Sequence, residues 1–360
     1  MPNRVATDPR LDPRIRAVFQ GLPVINALGQ SITWGGRNVA TRAELLAEAN
    51  SPKAIAAQAT KSAQAQAALN LGAIAPVTGL TQTILEFRSQ PDRNLAKICL
   101  LRPDSPAPLP CVYYIHGGAM AVGSCFDPIY QVWAQTVAQY GVAVALVEFR
   151  NCLVPSSLPE VAPYPAGLND CVSGLYWLAA QAAALGLDAT RLVIAGESGG
   201  GNLTIATGLR LQQAGDLGLI QGLYALCPFI GGEWPHADSP AAVANNGLWL
   251  DLHNNRAAIA YGIEALDRRD PLAWPRFATE ADVRGLVKTM IVVNECDPLR
   301  DEGINFYRLL RRAGVSAQCR EVKGTLHASD IMPSVCPDIS HATAASLAQF
   351  CRGDGAARSA

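Results

Sequence analysis

The sequence of 360 residues predicts an α/β fold, in which an eight-stranded, mostly parallel sheet carries helices on both faces. Two observations support this prediction. From about residue 80 onward, short apolar segments alternate with longer amphipathic ones, as strands alternate with crossover helices. Hydrophobic residues make up 49% of the chain, which is enough for a large core around such a sheet.

Eight segments are predicted strands. The first alternates polar and apolar residues, which is typical of an exposed strand, and no helical segment separates it from the second. We therefore expect these two to form an antiparallel edge of the sheet. The predicted strands are residues 81–87, 95–101, 111–115, 142–147, 191–195, 222–226, 289–294 and 316–322. Helices are predicted at residues 130–140, 166–185, 203–213, 302–313 and 341–351.

Two regions fall outside this alternation. The first seventy or so residues contain no clear strand, and residues 54–71, rich in alanine and glutamine, are predicted to be helical. The connection at residues 230–274 is too long for an ordinary loop. The predicted organisation is a helical segment at 1–78 that contributes to a cap, a core at 79–229, a cap insertion at 230–274 and the rest of the core at 275–360.

Composition and charge argue against several functional classes. A net charge of −1 gives no electrostatic basis for binding nucleic acid or an anionic membrane. The N-terminus lacks the apolar stretch of a signal peptide, and no segment is long enough to span a membrane. The ten cysteines have no metal-ligand spacing, which favours reduced, buried thiols, with a disulfide as the alternative. These features predict a cytoplasmic protein without a metal or an organic cofactor.

A glycine-rich turn at residues 196–200 carries the strongest chemical signal. Its sequence is Gly-Glu-Ser-Gly-Gly, with Ser198 at the centre, between a predicted buried strand and a predicted helix. Such a strand–turn–helix context is typical of a nucleophile elbow, whose sharp turn exposes the serine hydroxyl. Glycines two residues before and after the serine avoid a clash where the backbone approaches itself. The pattern predicts acyl transfer through Ser198.

A serine nucleophile needs a base, and the chain has five histidines. In enzymes with this elbow the histidine follows the serine and the acid in the chain. His116 precedes the serine, His236 and His253 lie in the predicted cap insertion, and His341 lies in the predicted last helix. The remaining one, His327, follows the eighth predicted strand, at the edge of the sheet where such folds bind ligands. We predict that His327 is the base.

An acid is expected between the serine and the histidine. The loop after the seventh predicted strand offers Glu295, Asp297 and Asp301. A carboxylate at the start of a helix stabilises it, so Asp301 is expected to begin or cap the next helix. Glu295 is expected to hold the loop together, and Asp297 is the predicted acid.

Backbone donors for an oxyanion are expected from two glycine-rich turns. The sequence His116-Gly117-Gly118-Ala119 ends the third predicted strand, and its glycines allow close backbone approach. We predict that Gly117 and Gly118 donate from this loop, and that Gly199, the residue after the serine, is the third donor.

Together these motifs resemble the hormone-sensitive-lipase-like esterases, bacterial family IV of the α/β-hydrolase superfamily. The resemblance covers the chain from about residue 81 to its end and rests on the two glycine turns, the run Asp-Pro-Leu-Arg-Asp-Glu-Gly at 297–303, and His327. It implies an α/β-hydrolase fold with a helical cap, a triad of Ser198, Asp297 and His327, and a structural role for His116. Ala119 and Ala328 stand where the family usually has glycine.

The expected activity is hydrolysis of carboxylic esters or lactones with small to medium acyl groups, through an acyl-enzyme. An amidase or peptidase on the same triad is one alternative, and a ligand-binding protein without catalysis is another. The resemblance also makes a homodimer plausible. Aromatic residues of the predicted cap insertion, Trp234, Trp249 and Trp274, are candidates to line the substrate pocket, with internal packing an equal alternative.

Overall fold

A computed structural model describes residues 4–22, 25–26, 37–69 and 77–353. Its centre is an eight-stranded sheet with the strand order β8-β7-β6-β5-β3-β4-β2-β1. The strands are β1 (Leu80–Arg88), β2 (Leu95–Pro103), β3 (Leu109–Ile115), β4 (Ala143–Glu148), β5 (Leu187–Glu197), β6 (Gly222–Leu226), β7 (Lys288–Asn294) and β8 (Ala317–Val322). The predicted α/β-hydrolase fold with eight strands is confirmed.

The predicted antiparallel edge is also present. Strand β1 pairs antiparallel with β2, and β2 pairs antiparallel with β4. The other strands follow across the sheet in the order β4-β3-β5-β6-β7-β8, and each of these pairs is parallel. Strands β4 and β6 are completely buried, so each reads as a continuous apolar run, as central parallel strands do. Strand β1 instead exposes most of its residues to solvent, which explains its alternating pattern.

Helices cover both faces of the sheet. The described residues form α1 (Pro13–Phe19), α2 (Arg42–Ala49), α3 (Pro52–Ala68), α4 (Pro128–Ala138), α5 (Ala166–Gln181), α6 (Gly199–Ala214), α7 (Ala241–Ala244), α8 (Arg256–Tyr261), α9 (Ile263–Asp267), α10 (Glu280–Val283), α11 (Arg300–Arg312) and α12 (Pro337–Arg352). Apolar side chains of α5, α6 and α11 pack on one face, and those of α4 and α12 pack on the other. This arrangement buries both faces, as parallel sheets require.

Local sequence signals account for the helices near the N-terminus. Asp12, Thr41 and Ser51 each accept a hydrogen bond from a backbone N–H in the first turn of the helix that follows. Pro13 and Pro52 occupy the first helical position, where a missing N–H costs nothing.

We refer to residues 4–22, 37–69 and 230–274 as the outer segments. The buried Arg256 of α8 forms an ion pair with Glu48 of α2 at 2.7 Å, which joins two of these segments. A two-residue strand, Ile25–Asn26, pairs in parallel with Leu250–Asp251. Apolar residues of the first segment pack beside Cys296 and Leu326, in the loops that follow β7 and β8. The division into core and cap stays a prediction.

Two further expectations concern the whole molecule. No helix among the described residues is long and apolar enough to cross a membrane. All ten cysteines lie in the described part of the chain as unpaired thiols, and nine of them are buried. The half-buried exception is Cys319 on β8.

Candidate active site

Ser198 occupies a sharp turn between the end of β5 and the start of α6. Its backbone angles are φ 57° and ψ −118°, a conformation that side-chain-bearing residues rarely adopt. A Cβ atom added to Gly196 would lie 2.5 Å from the carbonyl oxygen of Gly200, and one added to Gly200 would overlap the carbonyl oxygen of Ile115. Glycine is therefore required at both positions, as the elbow pattern predicts.

The structure brings Ser198, His327 and Asp297 together. The Ser198 hydroxyl donates to Nε2 of His327 at 2.9 Å, and Nδ1–H of His327 donates to Oδ2 of Asp297 at 2.7 Å. The three side chains are nearly excluded from solvent, with 9%, 7% and 0% exposure for serine, histidine and aspartate. This is the hydrogen-bond chain that activates a serine nucleophile.

Sheet topology explains why these three residues meet. Ser198 follows β5, Asp297 lies in the loop after β7, and His327 lies in the loop after β8. These strands run in the same direction, so their carboxyl ends share one edge of the sheet. Residues far apart in the sequence are thereby brought within hydrogen-bonding distance.

The loops that carry the acid and the base are tied to each other. The Glu295 carboxylate accepts the backbone N–H of Gly324 at 2.9 Å, so this residue holds the loop as expected. Asn294 donates to the Thr325 hydroxyl at 2.9 Å. Asp301 lies in the first turn of α11, as expected, and accepts the N–H of Ala241 at 2.6 Å.

The electrostatic environment of His327 favours its charged form. Burial alone disfavours the imidazolium, but the adjacent Asp297 carboxylate more than compensates for it. The pKa of His327 is therefore raised well above its ordinary value. An imidazole in this environment is a stronger base toward the serine proton.

The glycine loop after β3 differs from its prediction in one respect. The N–H of Gly117 donates to the Glu197 carboxylate at 2.8 Å and to the Tyr130 hydroxyl at 3.1 Å, so it is not available to an oxyanion. The N–H groups of Gly118 and Ala119 have no acceptor among the described residues. The predicted role of Gly117 as a donor does not agree with this arrangement, because a buried carboxylate already binds the first amide of the loop.

Gly199 lies directly against this loop. A Cβ atom at Gly199 would be 2.7 Å from the backbone nitrogen of Ala119 and 2.6 Å from that of Met120. The helix N-terminus behind Ser198 and the loop amides therefore face the same small volume. Ala119 and Met120 both have positive φ, so the loop beside Gly199 is a strained turn.

Glu197 is a site residue that the sequence analysis missed. Its carboxylate is buried and also accepts the hydroxyls of Tyr114 at 2.9 Å and Tyr130 at 2.8 Å. Burial raises the pKa of Glu197 to about 7, although the tyrosine hydroxyls partly oppose this shift. An acidic residue directly after the apolar run at 192–196 was the available signal.

The remaining histidines do not take part in the triad. His116 is buried and stacks on Phe149 with ring centroids 4.3 Å apart, which agrees with the structural role that the resemblance implies. His253 contacts the carbonyl oxygen of Ala242, and His341 pairs with the Tyr140 hydroxyl. His236 lies beside Trp234 in the predicted cap insertion.

The three tryptophans have different surroundings. Trp274 is fully buried and donates to the carbonyl oxygen of Gly262, and Trp234 donates to the buried Glu302 carboxylate at 3.2 Å. Trp249 lines a cavity of about 200 Å³ together with α1 and α3 residues. A larger cavity of about 610 Å³ lies between α3 and the glycine loop after β3 and is lined in part by Gly118.

The elbow, the hydrogen-bonded triad and the strand-end geometry define a serine hydrolase. A family model described as the α/β-hydrolase fold matches residues 112–330. The chain belongs to this family, within its hormone-sensitive-lipase-like esterases. The predicted class, a carboxylic ester hydrolase, is confirmed.

Individual relatives agree with this assignment. The chain is similar to carboxylesterase NlhH of Mycobacterium tuberculosis, with 31% identity over 253 residues, which are 68% of this chain and 74% of the relative. The structure of esterase Est22 is 58% identical with a TM-score of 0.91, and the match covers 98% of this chain and 100% of that one. Brefeldin A esterase, described as a bacterial homologue of human hormone-sensitive lipase, is 30% identical with a TM-score of 0.79, covering 96% and 94%.

Proposed function

We propose that Ser198, His327 and Asp297 hydrolyse small to medium carboxylic esters, lactones included, through an acyl-enzyme. The observation that carries this proposal is the continuous hydrogen-bond chain from the Ser198 hydroxyl to the Asp297 carboxylate, with distances of 2.9 and 2.7 Å. Named relatives that act on esters, such as the ethyl acetate hydrolase of Pseudomonas putida, support the substrate class.

In the acylation half, Nε2 of His327 takes the proton of Ser198 while Oγ attacks the ester carbonyl carbon. Asp297 holds the imidazole in the tautomer that leaves Nε2 free to accept, and it stabilises the imidazolium that forms. The imidazolium then returns the proton to the leaving alcohol. In the deacylation half, water replaces Ser198 as nucleophile and the same proton transfers release the acid and regenerate the enzyme.

The oxyanion of each tetrahedral intermediate binds to the amides of Gly118, Ala119 and Gly199. Gly118 and Ala119 have no acceptor among the described residues, which leaves these donors available. Each such donor contributes about 3 kcal/mol to transition-state stabilisation in comparable enzymes. The dipole of α6, whose N-terminus follows Ser198, adds to this field.

The cavities beside the site support small to medium substrates. The larger cavity of about 610 Å³ is lined by Gly118, by Ile55 and several alanines of α3, and by Ser156 and Ser157. A volume of this size is typical of small-molecule sites. A cytoplasmic location and a homodimer stay predictions, and light scattering of the purified chain tests the second.

The test is turnover of p-nitrophenyl acetate and butyrate by the wild type and by Ser198→Ala. We expect kcat to fall by about 10⁶-fold, as when the nucleophile of a serine hydrolase is removed. Ser105→Ala, in the loop between β2 and β3, is the control and should keep wild-type activity. Undiminished activity in Ser198→Ala would refute the proposal.

A further inference from the structure

A cysteine lies against the triad without a role in the mechanism above. Cys227 directly follows β6, between the strands that precede Ser198 and Asp297. Its backbone N–H donates to the carbonyl oxygen of Val292 at 2.7 Å, and its side chain is 1% exposed. The sheet therefore fixes the thiol next to the imidazole of His327.

Three types of metal-ligand atom meet at this point. Sγ of Cys227, a ring nitrogen of His327 and a carboxylate oxygen of Asp297 all lie within 4.8 Å of one another. In the part of the chain that the structure describes, no other group of three histidine, cysteine or carboxylate side chains comes this close. We propose that Cys227, His327 and Asp297 form an inhibitory binding site for a soft divalent cation, of the Zn²⁺ and Cd²⁺ class.

The geometry requires little rearrangement. Zinc binds sulfur at about 2.3 Å and nitrogen or oxygen at about 2.0–2.2 Å, so ligand atoms of a tetrahedral site lie roughly 3.5 Å apart. Because the three atoms lie within 4.8 Å of one another, shifts on the order of 1 Å are enough to reach this spacing. The combination of a thiolate, an imidazole and a carboxylate suits Zn²⁺ and Cd²⁺, whereas Mg²⁺ and Ca²⁺ prefer sites made of oxygen atoms.

Metal binding at this site would stop the reaction. The thiol loses its proton to solvent when its sulfur binds the cation, and no oxidation takes place. A cation on Nε2 of His327 occupies the lone pair that accepts the Ser198 proton. A cation on Nδ1 leaves the ring proton on Nε2, which then cannot accept one. The inhibition rests on the proposed catalytic roles, whereas the binding of the cation does not.

The burial of Cys227 separates this site from ordinary thiol reactivity. A single cation needs far less room than an organic thiol reagent to reach a buried sulfur. A bulky organic thiol reagent should instead modify Cys319 first, because this is the cysteine with solvent access. Cys319 therefore provides a matched control for accessible thiols.

The experiment titrates the full chain with CdCl₂ and follows both ester turnover and the ultraviolet absorbance of the cadmium–thiolate bond. In Cys227→Ser we expect the half-inhibitory concentration, relative to that variant's own basal rate, to rise at least about tenfold, with loss of the absorbance band. Cys319→Ser should keep the wild-type values of both. Wild-type sensitivity in Cys227→Ser, or its loss in Cys319→Ser, would overturn the proposal.

Two further variants keep the test decisive. Cys227→Ala replaces Cys227→Ser if the serine variant does not fold, as judged by circular dichroism. Ser198→Ala should retain the cadmium absorbance band, because the serine is not one of the three ligands. If Ser198→Ala shows the band but the wild type does not hydrolyse esters, the proposed function is refuted and the metal site is retained. If the wild type is fully active but shows no band, the metal site is refuted and the proposed function is retained.

Discussion

Two regions of the molecule are held in place in different ways. One is the set of strand ends that carry the triad, and the other is the outer segments. The triad loops extend a parallel sheet whose register pairs Glu197 with Leu226 and Val322 with Asn294, so backbone hydrogen bonds fix their positions. The outer segments are joined by side-chain contacts, among them the ion pair between Arg256 and Glu48. We infer that the sheet positions the reacting groups, whereas the outer segments add to stability and line the neighbouring cavities. The predictions below test this separation.

Among the substitutions that leave Ser198 in place, Asp297→Asn at the strand ends should have the largest effect. The amide cannot hold the imidazole in the correct tautomer, so kcat should fall by about 10⁴-fold with little change in KM. The acidic limb of the pH profile of kcat/KM should also move to lower pH, because the carboxylate that raises the pKa of His327 is gone. Steady-state kinetics from pH 5 to 9 measure both, and a loss below tenfold would contradict the assigned acid.

A second prediction concerns Glu197, which ties the glycine loop after β3 to β5. The Glu197 carboxylate accepts hydrogen bonds from Tyr114, Gly117 and Tyr130, and the amide of Glu197→Gln leaves one of these three donors without its acceptor. Because the glycine loop is then held less firmly, kcat should fall by about tenfold while KM changes little. An unchanged kcat would show that the loop holds its shape without this carboxylate.

The same substitution should alter the pH dependence of stability. The folded pKa of Glu197, about 7, lies above its unfolded value, so its contribution is complete at low pH and is lost as the pH rises toward 7 and above. Between pH 5 and 8, the free energy of unfolding of the wild type, measured in urea, should fall by up to about 3 kcal/mol relative to that of Glu197→Gln.

Glu148→Gln is the control, for which we expect a pH dependence of opposite sign. Although burial opposes the shift, neighbouring groups lower the pKa of Glu148, so its contribution is lost as the pH falls.

Sequence reasoning reached the fold and the triad because both depend on local patterns. Apolar runs of strand length and the turn around Ser198 are properties of neighbouring residues, and the order of acid and base follows from the topology that they imply. The engagement of the Gly117 amide could not be predicted in this way. It depends on Tyr130, Glu197 and the glycine loop meeting in space, and the position of Cys227 behind His327 depends likewise on the pairing of separate strands.

The next prediction addresses the outer segments. Glu48→Gln removes the negative charge that faces the completely buried guanidinium of Arg256. The free energy of unfolding should therefore fall by about 2 kcal/mol. The matched control is Glu44→Gln on the same helix, whose ion pair with the exposed Arg37 should be worth less than about 1 kcal/mol. Because the sheet holds the triad, kcat of Glu48→Gln should stay within about threefold of wild type. A larger loss of kcat would show that the two regions are coupled.

The smallest effect is expected at Trp249, in an outer segment. Its ring packs against Phe19 at 4.6 Å and lines the cavity of about 200 Å³, which Met332 also borders, five residues beyond His327. Trp249→Phe enlarges this cavity and should raise the ratio of kcat/KM for butyrate over acetate esters by about fivefold, which corresponds to about 1 kcal/mol. Trp177→Phe, whose ring stacks on Phe87 at 6.3 Å, should leave the ratio unchanged. Equal ratios in all three proteins would mean that the substrate does not reach Trp249, and would restrict substrate selection to the larger cavity beside Gly118.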